Sequence, residues 1–282
     1  MMPRVAAVQM SSGPDLEANL AQAEVLLEEA ARAGASLAAL PENFSFLGRR
    51  ETDRIARAEA PGDGPVQAFL ASRARQLGLW IVGGTLPVLE PGESRPRAAS
   101  ILYDTDGAAV ARYDKLHLFD VGLPGSDEGY RESAGASAGH GAVVAASPAG
   151  RLGLAVCYDV RFPELFRSMA TAGLETISLP SAFTVPTGRA HWELLLRARA
   201  VENLAFMLAP AQWGEHEGGR RTWGDSMIIN HWGEVLARRR EGIGVIVADL
   251  DMEAQREARR RFPALEHRRP PEALRPPTEK DE

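Results

Sequence analysis

Three side chains suited to acid–base and nucleophilic chemistry follow short apolar runs in this sequence. Cys157 follows the run Leu152–Val156 and precedes a helix that begins with a proline. Glu42 follows a strand-like run, and Lys115 follows the run 110–113. A side chain between the carboxyl end of a strand and a helix lies where backbone N–H groups face a developing negative charge. This position suits a nucleophilic thiol, although a free cysteine is also a common core residue.

A nucleophilic thiol needs a base and a group that stabilises an oxyanion. No sequence context selects one of the six histidines, which are His117, His140, His191, His216, His231 and His267. Carboxylates offer more, and Glu42 is the candidate base, although alone it also fits a solvated loop. The sequence has only two lysines, Lys115 and Lys280. Since arginine serves wherever only positive charge is needed, Lys115 is a candidate for the group that stabilises the oxyanion. The alternative is that Lys115 is an ordinary surface lysine.

The elements that must position these residues alternate along the first part of the chain. Apolar runs and helical spacing predict strand 5–10, a helix from Leu16 to Ala30, strand 36–40, helix 66–77 and strand 79–85. Turn residues then predict the hairpins 98–103 with 108–113 and 143–146 with 152–156. The later predictions are helices 164–172, 189–203 and 252–261 and strands 176–179, 205–209, 226–230, 234–237 and 245–250. We therefore expect an α/β fold with a mixed sheet, in one domain over 1–262 followed by an extended tail over 263–282.

Composition limits the partners. The chain has 282 residues, 45% of them hydrophobic, and a formal net charge of −6, which argues against nucleic acid. No apolar run reaches the ~20 residues of a membrane span, and the amino terminus does not resemble a signal peptide. A single cysteine excludes an intramolecular disulfide framework and a cysteine-rich zinc site. We expect a cytoplasmic protein without nucleic-acid or membrane partners.

Three motifs, taken together, carry a family resemblance. They are Leu-Pro-Glu-Asn around Glu42, Tyr-Asp-Lys-Leu-His-Leu-Phe-Asp around Lys115, and Gly-Leu-Ala-Val-Cys-Tyr-Asp-Val-Arg-Phe-Pro-Glu around Cys157. In this order and spacing they resemble the Glu-Lys-Cys triad of the nitrilase superfamily, the carbon–nitrogen hydrolases. The resemblance implies a four-layer α-β-β-α sandwich, a homodimer or higher homo-oligomer, and catalysis without a metal or an organic cofactor.

The resemblance also implies a role for each residue. Glu42 is the general base, Cys157 forms a thioester, and Lys115 stabilises the oxyanion with help from the backbone N–H of Tyr158, with proton donation by the lysine to the leaving amine as a further role. Glu132 in Tyr-Arg-Glu-Ser matches a second acidic residue beside the lysine and the substrate; its alternative is a solvated loop acid.

Further segments resemble one branch of these amidases. The segment 179–193 is similar to both omega-amidases and deaminated glutathione amidases, and the segments 43–50 and 262–270 are more similar to the latter. Asn230-His231 and Asp225 depart from the usual pattern. We expect an amidase that cleaves a linear amide of a small carboxylate-bearing metabolite. The alternatives are an omega-amidase acting on α-ketoglutaramate, a nitrilase or carbamoyl-amine hydrolase, and a non-catalytic dimeric binding protein.

Arginines near these motifs are candidates for binding a substrate carboxylate. They are Arg161 after the nucleophile and Arg49 and Arg50 after the glutamate, although each fits a surface ion pair as well. Thr187 and His191 are further candidates for the substrate pocket. The segment Glu215-His216-Glu217 contains possible cation ligands, but the glycines after it favour a solvated loop.

Overall fold

Two β-sheets pack face to face, and helices cover the outer face of each sheet. The computed structural model describes residues 2–122 and 129–269. The helices are α1 Leu16–Arg32, α2 Pro65–Leu77, α3 Pro163–Thr171, α4 Val185–Asn203 and α5 Met252–Arg261, and three short 3₁₀ helices cover Glu51–Arg57, Glu132–Ala134 and Cys157–Arg161.

The strands are β1 Arg4–Gln9, β2 Leu37–Ala39, β3 Trp80–Val82, β4 Leu86–Val88, β5 Arg97–Tyr103, β6 Ala109–Asp114, β7 Asp120–Gly122, β8 Gly129–Arg131, β9 Val143–Ser147, β10 Gly150–Leu154, β11 Thr176–Ser178, β12 Phe206–Ala209, β13 Trp213–Glu215, β14 Arg221–Trp223, β15 Ser226–Ile229, β16 Val235–Arg239 and β17 Gly244–Asp249. The first sheet has the order β17-β1-β2-β3-β5-β4, with β6 paired to β5, and the second has the order β16-β15-β12-β11-β10-β9.

The centre of each sheet is parallel and its edges are antiparallel. Strands β1, β2 and β3 pair in parallel in the first sheet, as do β10, β11 and β12 in the second. The carboxyl ends of parallel strands meet at one edge of a sheet, where open α/β sheets place their ligands. The chain leaves β2 just before Glu42 and leaves β10 just before Cys157, so both residues lie at such an edge.

Alternation along the strands separates two apolar layers. Val5 and Ala7 belong to the core cluster between the sheets, while Ala6 and Val8 belong to the cluster beneath α1 and α2. This is the two-residue period of a strand that is buried on both faces. The observed layers confirm the predicted four-layer α-β-β-α sandwich.

Several bounds differ from the sequence prediction. Helix α4 begins at Val185 rather than at residue 189, because Pro186 fits the first turn of a helix. Strand β4, which contains Pro87, and the pairs β7–β8 and β13–β14 were not predicted. Residues 263–267 form a turn, and residues 270–282 of the predicted tail lie outside the described residues. No helix in the described ranges is long and apolar enough to cross a membrane.

Candidate active site

Glu42 and Lys115 meet in a buried ion pair close to Cys157. The Lys115 Nζ donates to Glu42 Oε1 at 2.8 Å, and the lysine side chain is only 1% exposed. All three predicted residues line one small cavity at the edge where the two sheets meet. The structure therefore brings together side chains that are 73 and 42 residues apart in the sequence.

Glu132 completes the surroundings of the lysine. Its Oε2 accepts from Lys115 Nζ at 2.8 Å and from the backbone N–H of Phe119 at 2.8 Å. Its Oε1 accepts from Arg54 at 3.2 Å, and Arg54 also donates to Glu51 at 2.5 Å. Glu132 is buried, so its alternative as a solvated loop acid is wrong. Sequence reasoning did not find Arg54, which lies in a 3₁₀ helix without a recognisable motif.

Charge determines the protonation of this cluster. Burial acts to lower the pKa of Lys115, but the carboxylates of Glu132 and Glu42 outweigh it and raise that pKa above its usual value. Burial likewise acts to raise the pKa of Glu132, but the charges of Lys115 and Arg54 outweigh it and lower that pKa. Lys115 is therefore a permanent cation at neutral pH and holds its proton strongly.

The backbone at Cys157 is left-handed. Its φ is +47°, a conformation that costs a non-glycine residue free energy and often marks a functional site. The Cys157 N–H donates to the Pro180 carbonyl at 2.9 Å, across to the neighbouring strand connection. Burial raises the pKa of the thiol and the charge of Glu42 raises it further, while Lys115 and the backbone N–H of Ala182 act in the opposite direction. With its pKa raised, Cys157 is a protonated thiol at neutral pH, and a nucleophilic role for it requires a base.

Asp159 ties the nucleophile turn to the segment that carries the lysine. Its fully buried carboxylate accepts from Tyr113 Oη at 2.7 Å, from the backbone N–H of Val156 at 2.8 Å, and from the backbone N–H of His117 at 3.1 Å. The His117 ring contacts the same carboxylate at 2.7 Å. One carboxylate thus sets the distance between the turn of Cys157 and the end of β6.

A second network positions Glu42. The residue after it, Asn43, has φ +57°, and its N–H donates to Thr85 Oγ1 at 2.8 Å. The Gln212 amide donates to the Glu42 carbonyl at 3.1 Å. Gly84 is required here because a Cβ would lie 2.1 Å from the Pro41 carbonyl oxygen. The side chains of Thr85 and Gln212 thus hold the main chain at Asn43 and Glu42.

Two cavities adjoin at this site. The inner cavity, of about 20 Å³, lies in front of Cys157, and the outer cavity, of about 520 Å³, extends from it. The residues that line both cavities are Asn43, Glu51, Arg54 and Arg220.

The predicted substrate-binding residues divide between these cavities. Arg161 and Thr187 line the inner one, and Arg49 and Arg50 line the outer one. His191 lies on the exposed face of α4, outside both of these cavities, with its Nδ1 3.3 Å from Arg161 Nη1. The structure therefore places His191 against Arg161 and not in the cavity beside Cys157.

The positions that depart from the family pattern have structural roles. Asp225, at φ +63°, accepts from Arg238 through both carboxylate oxygens at 2.6 and 2.7 Å. The Asn230 side chain accepts from the N–H groups of Trp232 and Glu234 at 2.9 Å each and closes the turn between β15 and β16. Neither residue lines the inner or the outer cavity.

The segment around His216 differs from its prediction as a solvated loop. His216 is buried, with ring nitrogens 2.8 Å from the Ser12 carbonyl and 2.7 Å from Thr222 Oγ1. It anchors the hairpin β13–β14 to the loop after β1. Within residues 2–122 and 129–269, no three His, Cys, Asp or Glu side chains form a group that could hold a metal ion.

Comparison with known proteins agrees with this geometry. The family model described as carbon-nitrogen hydrolase matches residues 4–260. The chain belongs to the carbon–nitrogen hydrolase family. It is 39% identical over 266 residues to a deaminated glutathione amidase of Yersinia enterocolitica, covering 94% of this chain and 92% of that protein. It is 40% identical over 272 residues to a deaminated glutathione amidase of Homo sapiens, covering 95% and 83%.

The fold agrees with the family as well. A crystal structure of Saccharomyces cerevisiae Nit3, described as a member of branch 10 of the nitrilase superfamily, superposes with a TM-score of 0.83. It is 31% identical, and the match covers 93% of this chain and 94% of that one. The nitrilase-superfamily resemblance inferred from three motifs is confirmed.

Proposed function

We propose that this carbon–nitrogen hydrolase cleaves deaminated glutathione at the amide that joins its 2-oxo acid portion to cysteinylglycine, through a thioester on Cys157. The observation that carries the proposal is the buried cluster in which Lys115 contacts Glu42 and Glu132 at 2.8 Å beside the only thiol. An amidase acting through a thiol needs a base, an oxyanion stabiliser and a nucleophile, and this cluster supplies all three. The name shared by the relatives supports the choice of substrate.

In the first step, Glu42 takes the thiol proton while the sulfur attacks the amide carbon. A C–S bond forms, the carbonyl π electrons move to oxygen, and a tetrahedral oxyanion results. Lys115 stabilises this negative charge, and the N–H of Tyr158 is the second donor in the proposal. The positive charge of the lysine is in place before the reaction, because two carboxylates hold it there.

In the second step, the oxyanion collapses and the C–N bond breaks. Glu42 returns the proton it took to the leaving amine, since Lys115, with its raised pKa, holds its own proton. This assigns to the lysine an electrostatic role and not the proton donation expected as a further role. Glu42 then takes a proton from water while the hydroxide attacks the thioester; the C–S bond breaks to release the acid, and Glu42 returns this proton to the Cys157 sulfur, which regenerates the thiol and the carboxylate.

Arg161 is the group we assign to the 2-oxo acid end of the substrate. It lines the inner cavity beside Cys157, and its guanidinium lies over the rings of Tyr158 and Phe183 at 5.8 and 5.5 Å. Because the guanidinium is charged and its plane is held by these rings, it suits a planar carboxylate. Thr187 lines the same cavity, where its hydroxyl lies 2.8 Å from that of Thr184.

An omega-amidase acting on α-ketoglutaramate is the second candidate, because that substrate ends at its amide and has no group on the leaving-amine side to place in the outer cavity. The outer cavity of about 520 Å³ favours the longer substrate. Deaminated glutathione carries a cysteinylglycine group beyond the amide, which the outer cavity has room to accept.

The decisive experiment is a comparison of kcat/KM for the two substrates with the purified protein. We expect a higher value for deaminated glutathione, and none for either substrate with Cys157→Ala. Higher kcat/KM for α-ketoglutaramate would move the assignment to omega-amidase. Hydrolysis of only a nitrile or a carbamoyl amine would overturn the substrate assignment, and inactivity on every substrate would favour a binding protein.

A homodimer and a cytoplasmic location remain part of the proposal. Exposed apolar side chains support the dimer: Trp232 and Phe262 contact each other and are each 56% exposed, and Val201 of α4 is exposed close to Gly233. Light scattering during size-exclusion chromatography measures the oligomeric state, and a monomeric mass would overturn the dimer.

A further inference from the structure

The outer cavity carries an excess of positive charge. Among the described residues that line it, the cationic ones are Arg49, Arg50, Arg54, Arg131, Arg220 and Arg221, and the one acidic residue is Glu51. The protein as a whole has a net charge of −6, so this local excess is opposite in sign to the rest of the chain. Such a cavity favours an anionic group of the ligand.

Of the five arginines other than Arg220, three have carboxylate partners, and Arg131 and Arg221 are exposed. Arg49 contacts Glu217 at 2.7 Å and Arg50 contacts Asp53 at 2.9 Å, and their side chains are 67% and 80% exposed. Arg54 is engaged by Glu132 and Glu51. Exposed or fully paired guanidiniums contribute little to binding a further anion.

Arg220 is both largely buried and incompletely paired. Its side chain is only 20% exposed, and its Nε is buried without a hydrogen-bond partner in the structure described. Its contact to Glu51 Oε1 is long, at 3.5 Å, whereas Glu51 Oε2 accepts from Arg54 at 2.5 Å. Its guanidinium lies over the Tyr130 ring, 5.3 Å from the centroid. A partly buried cation with unused donors binds a carboxylate strongly.

The position of Arg220 fixes the end of the substrate that it meets. Arg220 lines both cavities, whereas Arg161 lines only the inner one. With the 2-oxo carboxylate at Arg161 and the amide carbon at Cys157, the leaving amine points toward the outer cavity. The hairpin that carries Arg220 is held in place by the buried His216, which contacts Ser12 and Thr222.

We propose that Arg220 is a specificity-determining residue that binds a carboxylate on the leaving-amine side of the substrate. The inference rests on the proposed function, since it assumes attack by Cys157 on an amide whose acyl side faces Arg161. The contact with Arg220 selects amides whose leaving amine carries an acidic group, as cysteinylglycine does, over primary amides that release ammonia.

The test combines two enzymes with two forms of the substrate. Arg220→Gln is compared with wild type on deaminated glutathione and on the same molecule with its glycine carboxylate converted to an amide. We expect each change alone to lower kcat/KM by about 10- to 100-fold, the size of one charge-assisted contact. We expect the two changes together to cost little more than either one, because both remove the same contact.

Arg73→Gln is the matched control. Arg73 lies on α2, away from both cavities, with a side chain that is 21% exposed, an ion pair to Glu24 and a buried unpaired Nε. We expect Arg73→Gln to have the same ratio of kcat/KM for deaminated glutathione to kcat/KM for its amidated form as the wild type. α-Ketoglutaramate, which lacks the distal group, then serves as a reference for general damage to the site in Arg220→Gln.

The outcomes distinguish a failure of the role proposed for Arg220 from a failure of the proposed amidase function. Additive losses in the double comparison, or an unchanged wild-type rate with the amidated substrate, would overturn the role of Arg220 while leaving the amidase assignment intact. The amidated substrate needs no variant, so misfolding of Arg220→Gln does not prevent the test. A wild-type enzyme that prefers α-ketoglutaramate overturns the proposed function itself, whatever Arg220 does.

Discussion

Replacing Lys115 by arginine separates charge from geometry at the oxyanion site. The Lys115 Nζ lies 2.8 Å from both Glu42 and Glu132, and each pair corresponds to about 6 kcal/mol of attraction at an effective dielectric constant of about 20. Arginine retains this charge, so the two buried carboxylates keep a cationic partner. Its planar fork, however, cannot occupy the same position beside a cavity of only about 20 Å³.

We therefore expect two effects of different size for Lys115→Arg. The free energy of unfolding falls by about 1–3 kcal/mol from overpacking, and kcat falls by about 10²–10³ because an oxyanion donor is displaced. Lys115→Met is the comparison variant. It leaves Glu42 and Glu132 buried without their shared cation, so the free energy of unfolding should fall by about 3–5 kcal/mol.

The assay measures steady-state product release alongside urea denaturation, with the fraction of reactive thiol determined by iodoacetamide labelling. Turnover by folded Lys115→Arg within threefold of wild type would refute the reasoning and reduce the lysine to a structural ion pair. Equal losses of stability in the two variants would show that charge does not hold the cluster together.

Three further predictions concern the reactivity of the Cys157 thiol, the hydrogen bonds of Asp159 and the loss of stability at low pH. Iodoacetamide should modify one site per chain, Cys157, and abolish activity while EDTA has no effect; loss of activity to EDTA that zinc restores would indicate a metallohydrolase instead. Asp159→Asn should lower the free energy of unfolding by about 2–4 kcal/mol in urea denaturation, because its single amide oxygen cannot both replace Oδ2, which accepts from Tyr113 and Val156, and replace Oδ1, which accepts from the His117 N–H; an unchanged midpoint would contradict this. Since the folded pKa of Glu132 is lowered from 4.5 to about 2, the unfolded chain binds its proton first, and the resulting stability is lost as pH falls through this range. The Tm of wild type should therefore fall more steeply than that of Glu132→Gln between pH 5 and 3, and parallel curves would exclude the effect.

The sequence predicted those parts of the site that depend on short, local patterns. Cys157 and Glu42 each follow an apolar strand, and strand ends are recognisable from the residues themselves. The family motifs then joined them to Lys115, which the structure places 2.8 Å from Glu42. The four-layer arrangement followed from the same resemblance, because alternation in a doubly buried strand does not reveal which sheet faces which.

The parts that sequence reasoning missed depend on contacts between distant segments. Arg54 reaches Glu132 across 78 residues, and Tyr113 reaches Asp159 across 46, without any local pattern to announce either contact. His216 stands beside glycines and acids, which indicated a solvated loop, yet its partner Ser12 is 204 residues away and buries it. Burial of a polar residue by a remote partner cannot be inferred from its neighbours in the sequence.

The buried and protonated state of Lys115 has a practical consequence for attaching this protein to a support. Reagents such as activated esters acylate only neutral, accessible amines, and this lysine is 1% exposed with its pKa raised by two carboxylates. The sequence has one other lysine, Lys280, which is its third residue from the end and belongs to a stretch rich in proline and charge. Amine-directed coupling is therefore directed away from Lys115, one of the two lysines of the sequence, so that the amine proposed to stabilise the oxyanion stays unmodified on an immobilised catalyst.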